Sequence, residues 1–372
     1  MPASDWTTSF AWLDRVRRGR GAWLDAAGFG PDETPWLELL RADGMRLRAY
    51  GEPAPGPVLL IAPAPIKRPY IWDLAPGRSV VRRALAAGFN VGLIEWTVPE
   101  TNAAGRGLDD YADRLIGAAV DALSALHGSS GALLAGHSLG GTLAAIFATL
   151  HPERVRGLVL VEAPLRFGPE GGALGALAAA APAAPELVSR AFGIVPGSAI
   201  SALGVAADPI EFLPARWLDA LASAFDAESA AAHLRVVRWT LDELAMPGRL
   251  FEEVAGRLCR DDAFARGKLA VAGRPARPER ARMPVLAVLD PTSRLVPPAS
   301  VLAVLKMAGR AATVLHHRED EAGIALRHVG ALIGRAAHER LWPAILDWAR
   351  AVWTDERRAE QLAFPRASAT RP

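Results

Sequence analysis

From residue 58 onward, short unbroken apolar runs alternate with stretches of helical periodicity. The runs at 58–62, 91–96, 132–135, 158–161, 285–289 and 313–315 span three to six residues each. Runs of that length with no polar alternation suit strands buried on both faces. Between them, 79–87 (closed by Gly88), 108–126, 139–150 and 337–352 repeat apolar residues at helical spacing. Strand, helix, strand in this order predicts an α/β fold, a mostly parallel central sheet with helices on both faces. The alternation stops between Pro164 and Arg282, where the sequence is helical in character and rich in Ala, Pro and Arg. That stretch is too long for a loop and predicts a helical cap inserted into the sheet domain.

Four segments follow from this pattern: 1–162 as an N-terminal helix and the first part of the core, 163–282 as the cap, 283–353 as the rest of the core, and 354–372 as a disordered tail poor in apolar residues. In the N-terminal helix, Trp6, Phe10 and Leu13 recur at i, i+4 and i+7, and Arg15, Arg17 and Arg18 are expected on a solvated face as the helix packs on its own domain.

Composition narrows the function classes. The 372 residues carry 42 basic and 40 acidic side chains, a net charge of +2, and only three lysines, Lys67, Lys268 and Lys306. Acids nearly match the arginine excess, so nucleic acid is not an expected partner. The single cysteine, Cys259, excludes an internal disulfide framework and any metal site built from several thiolates. The N-terminus does not read as a secretory signal, and the alanine-rich run at 171–185 is too short to span a bilayer. A soluble cytoplasmic protein without metal or cofactor is expected.

The candidate chemistry centres on Gly136-His137-Ser138-Leu139-Gly140, which fits G-x-S-x-G and is followed by Gly141. It falls between a predicted strand and a predicted helix. There a sharp turn, permitted by glycines, lifts a serine oxygen to the sheet rim, and the helix N-terminus offers free N–H groups to an oxyanion. A serine needs a base, and in this fold the base follows the nucleophile and the acid in the chain. Of eight histidines, His328 occupies the loop between the last predicted strand and the last helix, where that base belongs.

The chain also resembles the polyhydroxyalkanoate synthases, particularly the short class III catalytic subunits. Lys67-Arg68-Pro69-Tyr70-Ile71-Trp72-Asp73-Leu74 with Gly77-Arg78-Ser79-Val80-Val81-Arg82 resembles that family's R-P-Y-I-x-D-L-x-P-x-R-S-x-V signature. Ile94-Glu95-Trp96, Leu295-Val296-Pro297-Pro298, His328-Val329-Gly330 and Asp347-Trp348 follow in the family's order. The resemblance implies an α/β-hydrolase acting on an acyl ester or acyl-CoA thioester, with a polyester granule surface, a homodimer partner or a second subunit as associates.

Two departures qualify it. The synthases carry cysteine at the elbow, where this chain has Ser138. An alkoxide leaves less readily than a thiolate, so a serine acyl-enzyme suits hydrolysis or ester transfer better than repeated thioester exchange. Their catalytic aspartate directly precedes the H-L-V-P-P stretch, and Ser293 matches it here; a hydroxyl does not stabilise an imidazolium as a carboxylate does. Two acids could replace it. Asp290 ends the same predicted strand, and Glu162 ends the preceding one in a stretch that resembles the haloalkane dehalogenases whose acid is a glutamate after that strand.

For the oxyanion, the Leu139 N–H is one expected donor. The other comes from the loop after 58–62, where Pro63 and Pro65 have no N–H; Ile66 matches the residue serving in the synthases and Lys67 is the alternative. Tyr70, Trp96 and His137 are candidates for the pocket wall. Cys259, in the cap, is expected to be structural. The sequence therefore points to a serine hydrolase or acyltransferase. A synthase polymerising hydroxyacyl-CoA and a catalytically weak granule-associated subunit are the alternatives.

Overall fold

The computed structural model describes residues 3–168, 171–180, 184–308 and 312–363. Eight strands form the central sheet: β1 (Trp36–Ala42), β2 (Met45–Tyr50), β3 (Val58–Ala62), β4 (Asn90–Trp96), β5 (Ala132–His137), β6 (Val155–Val161), β7 (Val285–Leu289) and β8 (Thr313–His316). Their spatial order is β1-β2-β4-β3-β5-β6-β7-β8. β2 runs antiparallel to both its neighbours and every other pairing is parallel. β3 to β7 are buried along their whole length, as unbroken apolar runs require when helices cover both faces. Helices α1 (Ala3–Leu24), α2 (Val80–Ala86), α3 (Leu115–His127) and α4 (Leu139–Leu150) precede the insertion, and a long helix, Trp342–Ala363, closes the core. In a parallel sheet of this kind the functional groups gather at the C-terminal rim. Pro63, His137, Glu162 and Asp290 each stand at or just after the end of such a strand.

Several features differ from the pattern read off the chain. β1 and β2 were not expected, because their charged residues interrupt the apolar periodicity. The structure explains one of these interruptions: Arg48 is buried and its Nε donates to Glu95 of β4 at 2.7 Å. Between β6 and β7 the chain is helical, with two short antiparallel strand pairs, Ile194–Val195 with Met246–Pro247 and Leu269–Val271 with Arg274–Ala276. Its first part, from Gly172–Ala180 through Ala227–Thr240, roofs the C-terminal rim, and its second part wraps the start of α3, where Glu253 accepts from Leu108 N at 2.6 Å and Arg274 pairs with Asp113 at 2.5 Å. Helix α1 lies on this roof: Asp14 accepts from Ser198 N at 2.8 Å and Phe10 packs edge-on against Phe192. Arg17, expected on the solvated face, turns inward and donates to the Thr240 carbonyl at 2.6 Å. The tail expected to fray from Thr354 continues the last helix through Ala363, and 364–372 lie outside the described residues. Among the described residues no single helix is long and apolar enough to cross a membrane.

Glu95 is 3% exposed and accepts from both Arg48 and Arg46, the latter at 2.6 Å. Burial works against its charge, but the hydrogen bonds and charges of Arg48 and Arg46 outweigh it and hold the carboxyl below the ordinary glutamate range. With a lowered folded-state pKa, the stabilisation is complete above the ordinary carboxylate pKa and fades as pH falls through the folded value. Glu95→Gln leaves buried guanidinium groups short of a counter-charge and is expected to cost about 3 kcal/mol at neutral pH in urea unfolding. A loss under about 1 kcal/mol would show that Glu33, the other carboxylate paired with Arg48, suffices as its counter-charge.

Candidate active site

Ser138 sits between β5 and α4 with φ 54° and ψ −134°, a conformation L-residues rarely adopt. The turn is held by close backbone packing. A Cβ on Gly140 would lie 2.3 Å from the Ala62 carbonyl oxygen, and one on Gly136 would lie 2.6 Å from Gly141 Cα. Only glycine permits either approach. The Ser138 N–H donates to the Val161 carbonyl at 3.1 Å, which ties the turn to β6.

His328 lies between β8 and the last helix. Its Nδ1 is 3.2 Å from Glu162 Oε2, and its Nε2 is buried with no hydrogen-bond partner among the described residues. Glu162, directly after β6, also has a positive φ of 42°, and its N–H donates to the Val288 carbonyl at 3.0 Å. Of the two candidate acids, Glu162 is the one hydrogen-bonded to His328. Asp290 is buried nearby, but its Oδ1 accepts from Thr292 N at 2.7 Å and Thr292 Oγ1 at 2.8 Å, closing its own turn. Ser293, at the place of the synthase aspartate, accepts from Val296 N at 3.1 Å.

Three contacts brace the histidine loop from outside. Asp219 of the roof accepts from Gly323 N at 3.0 Å and Ala325 N at 2.8 Å, and Glu211 accepts from Arg327 N at 2.5 Å. His137 Nε2 is 2.7 Å from the His328 carbonyl oxygen, with the two rings 4.5 Å apart. A carbonyl only accepts, so the His137 proton is on Nε2. No sequence motif signals these braces, since Asp219 and Glu211 reach the loop across 104 and 116 residues of chain.

Burial dominates the electrostatics. It drives His137 well below the ordinary histidine range, helped by His328, and pushes His328 down to about 4 against the opposing charge of Asp290. Burial also raises Glu162 well above the ordinary carboxylate range, with Asp290 adding to the effect and His317 opposing it.

These residues open into a cavity of about 620 Å³ whose floor includes His137, Ser138 and His328. Leu174, Ile200, Phe212, Trp217, Val237 and Leu326 make its walls largely apolar. Ile66 lines it too, and the loop bearing Ile66 is pinned by Trp96 Nε1 donating to the Pro63 carbonyl at 2.7 Å. Of the two residues expected to supply the loop donor, Lys67 has its N–H turned back on the Ala64 carbonyl at 3.4 Å, while Leu139 is the first residue of α4. Tyr70 and Trp96 are not among the cavity residues, which corrects the expectation for both. The Tyr70 hydroxyl is held 3.3 Å from Asp242 and from Arg238, and the Trp96 ring is buried against Tyr111. Cys259 is also outside the cavity, and burial pushes its thiol up to about 12.

A family model described as the alpha/beta hydrolase fold matches residues 83–170. The poly(3-hydroxyalkanoate) polymerase subunit of Haloferax mediterranei is 31% identical over 314 residues, covering 84% of this chain and 61% of that protein. That of Haloarcula marismortui is 28% identical, with 65% of its length covered, so the chain spans under two thirds of these two relatives. The polymerase subunit of Allochromatium vinosum is 27% identical over 341 residues, 90% of this chain and 93% of that one. Among solved structures, a monoacylglycerol lipase from Paleococcus ferrophilus superposes with a TM-score of 0.52 at 17% identity, over 83% of this chain and 99% of that one, a likeness of fold alone. The chain thus has the α/β-hydrolase fold and is similar in sequence, over most of its length, to poly(3-hydroxyalkanoate) polymerase subunits.

Proposed function

We propose that the protein is a serine hydrolase or acyltransferase that acts on acyl esters or thioesters through Ser138, His328 and Glu162. The observation that carries this reading is the Glu162–His328 hydrogen bond beside the Ser138 turn, with His328 Nε2 left without a partner in an apolar cavity. His328 Nε2 takes the proton of Ser138 Oγ as that oxygen attacks the acyl carbonyl, and the Leu139 and Ile66 N–H groups hold the oxyanion. The imidazolium, stabilised by Glu162, returns its proton to the departing alcohol or thiol. Water or an alcohol then gives a proton to Nε2, attacks the Ser138 ester, and releases acid or new ester as the proton returns to Ser138.

Serine in place of the cysteine of the resembling synthases supports ester resolution over chain growth. Purified protein given 3-hydroxybutyryl-CoA is expected to yield free acid, whereas polymer would favour the synthase reading. A fluorophosphonate probe is expected to label the wild type and to fail on Ser138→Ala. Equal labelling of both would remove Ser138 as nucleophile. The roof also exposes Ile210, Leu213, Trp217, Leu218, Leu221 and Phe225, the last at 95%. An apolar polyester surface is the partner this edge fits.

The acid is tested by two isosteric variants. Glu162→Gln is expected to lower kcat/KM by about a thousandfold or more. Asp290→Asn keeps the acceptor of its turn and is expected to keep most activity. Full activity in Glu162→Gln with loss in Asp290→Asn would reverse the assignment. The pH profile gives a second check. The charge of Asp290 raises the pKa of both Glu162 and His328. Removing it lowers both, so Asp290→Asn should move the acid limb of kcat/KM to lower pH. An unmoved limb, or one moved upward, would contradict this coupling.

A further inference from the structure

The cavity above Ser138 carries an imbalance of charge that the proposed chemistry does not use. Arg17 and Arg20 of α1, Lys67 after β3 and Arg216 of the roof all line it, and Glu243 is the one carboxylate among the described lining residues. Glu243 is already shared, since it pairs with both Arg17 and Lys67. Those two cations also converge on the Thr240 carbonyl, Arg17 at 2.6 Å and Lys67 at 2.8 Å. Arg216 reaches only the Thr240 hydroxyl, at 3.0 Å. Arg20 makes no ion pair among the described residues, and Arg17 Nε is a buried donor with no partner.

Gathering like charges in a partly dry site is unfavourable, and so is a buried N–H left unpaired. Burial lowers the pKa of Arg216, and the charges of Arg20 and Arg17 lower it further. Burial likewise brings Lys67 down to about 8 despite Glu243, with Arg17 and Arg216 contributing. A bound anion would relieve all of these costs together, and planar guanidinium groups suit oxyanions whose oxygens accept two N–H bonds at once.

We propose that this part of the cavity is an anion site in which Arg17, Arg20 and Arg216 receive a phosphate or carboxylate carried by the cavity's occupant. The acyl substrate is then an anionic ester or thioester and not a neutral lipid-like ester. The substrate half of this statement rests on Ser138 acting as the nucleophile, and the binding of the anion does not. The anionic group has two possible sources, a phosphate on the leaving group or a carboxylate at the far end of the acyl chain.

The test uses the double variant Arg20→Gln with Arg216→Gln, which leaves the Arg17–Glu243–Lys67 cluster intact. Its fold is checked by thermal unfolding and by fluorophosphonate labelling. Inorganic pyrophosphate is titrated calorimetrically into both proteins. Rates are compared for butyryl-CoA against the butyryl thioester of N-acetylcysteamine, and for the p-nitrophenyl ester of glutarate against that of butyrate. Pyrophosphate should bind the wild type, more weakly at high salt, and bind the variant about tenfold less tightly or worse. In one of the two pairs, kcat/KM for the anionic member should fall by about tenfold or more while its neutral counterpart changes by less than about twofold. Loss confined to the CoA thioester places the phosphate on the leaving group, and loss confined to the glutarate ester places the anion on the acyl chain. No pyrophosphate binding by the wild type, undiminished binding by the variant, or equal losses for neutral and anionic substrates would overturn the site. If the wild type turns over none of the four substrates, the hydrolase reading fails while the pyrophosphate titration still decides the anion site.

Discussion

The close approach of α4 to the end of β3 is the constraint on which the site depends. With a Cβ on Gly140 only 2.3 Å from the Ala62 carbonyl oxygen, the helix can sit there only if that position is bare. Ser138 takes its positive φ in the turn that leads into this approach, which sets the start of α4 next to the loop after β3. The Ser138 turn and the backbone N–H groups proposed to hold the oxyanion are thus set by one backbone contact and do not depend on flexible side chains. Trp96, reaching the Pro63 carbonyl from β4, secures the same loop from the other side. Its role is to support the site without lining it.

The histidine is held differently. His328 is on a loop, and its geometry is set by neighbours on separate elements: Glu162 after β6, His137 at the end of β5, and Glu211 and Asp219 in the roof. Asp219 also takes a hydrogen bond from His233, which lines the cavity, so the cavity wall is joined to the loop that carries the proposed base, His328. In the synthases the chain resembles, the acid precedes the L-V-P-P stretch. Here Ser293 caps its own turn at that point, and the carboxylate beside the imidazole comes from the neighbouring strand. The rim of a parallel sheet tolerates such a shift because adjacent strand ends both face the same histidine.

Much of this was legible in the sequence, for identifiable reasons. The buried strands β3 to β7 announce themselves as unbroken apolar runs, and the elbow glycines mark where backbone must approach backbone. The β1–β2 hairpin was hidden because Arg48 and Glu95 satisfy each other inside the sheet, so a charged residue there signals pairing across strands and not exposure. The choice between Glu162 and Asp290 also lay outside the sequence, since both end strands and only their side-chain directions separate them. The inward turn of Arg17 was hidden too, because helical periodicity cannot show that a roof element covers the face it occupies. Cavity shape and the braces on His328 arise from contacts across a hundred residues or more and leave no local trace.

The most direct test of the serine acyl-enzyme is mass spectrometry of the intact protein quenched in acid during turnover of an acyl thioester, followed by peptide mapping. The expected result is a mass increase equal to one acyl group, carried by the peptide containing Ser138 and enriched in Glu162→Gln if deacylation slows more than acylation. An acyl group found on Cys259, or turnover with no adduct at Ser138 under any quench time, would contradict a mechanism built on Ser138.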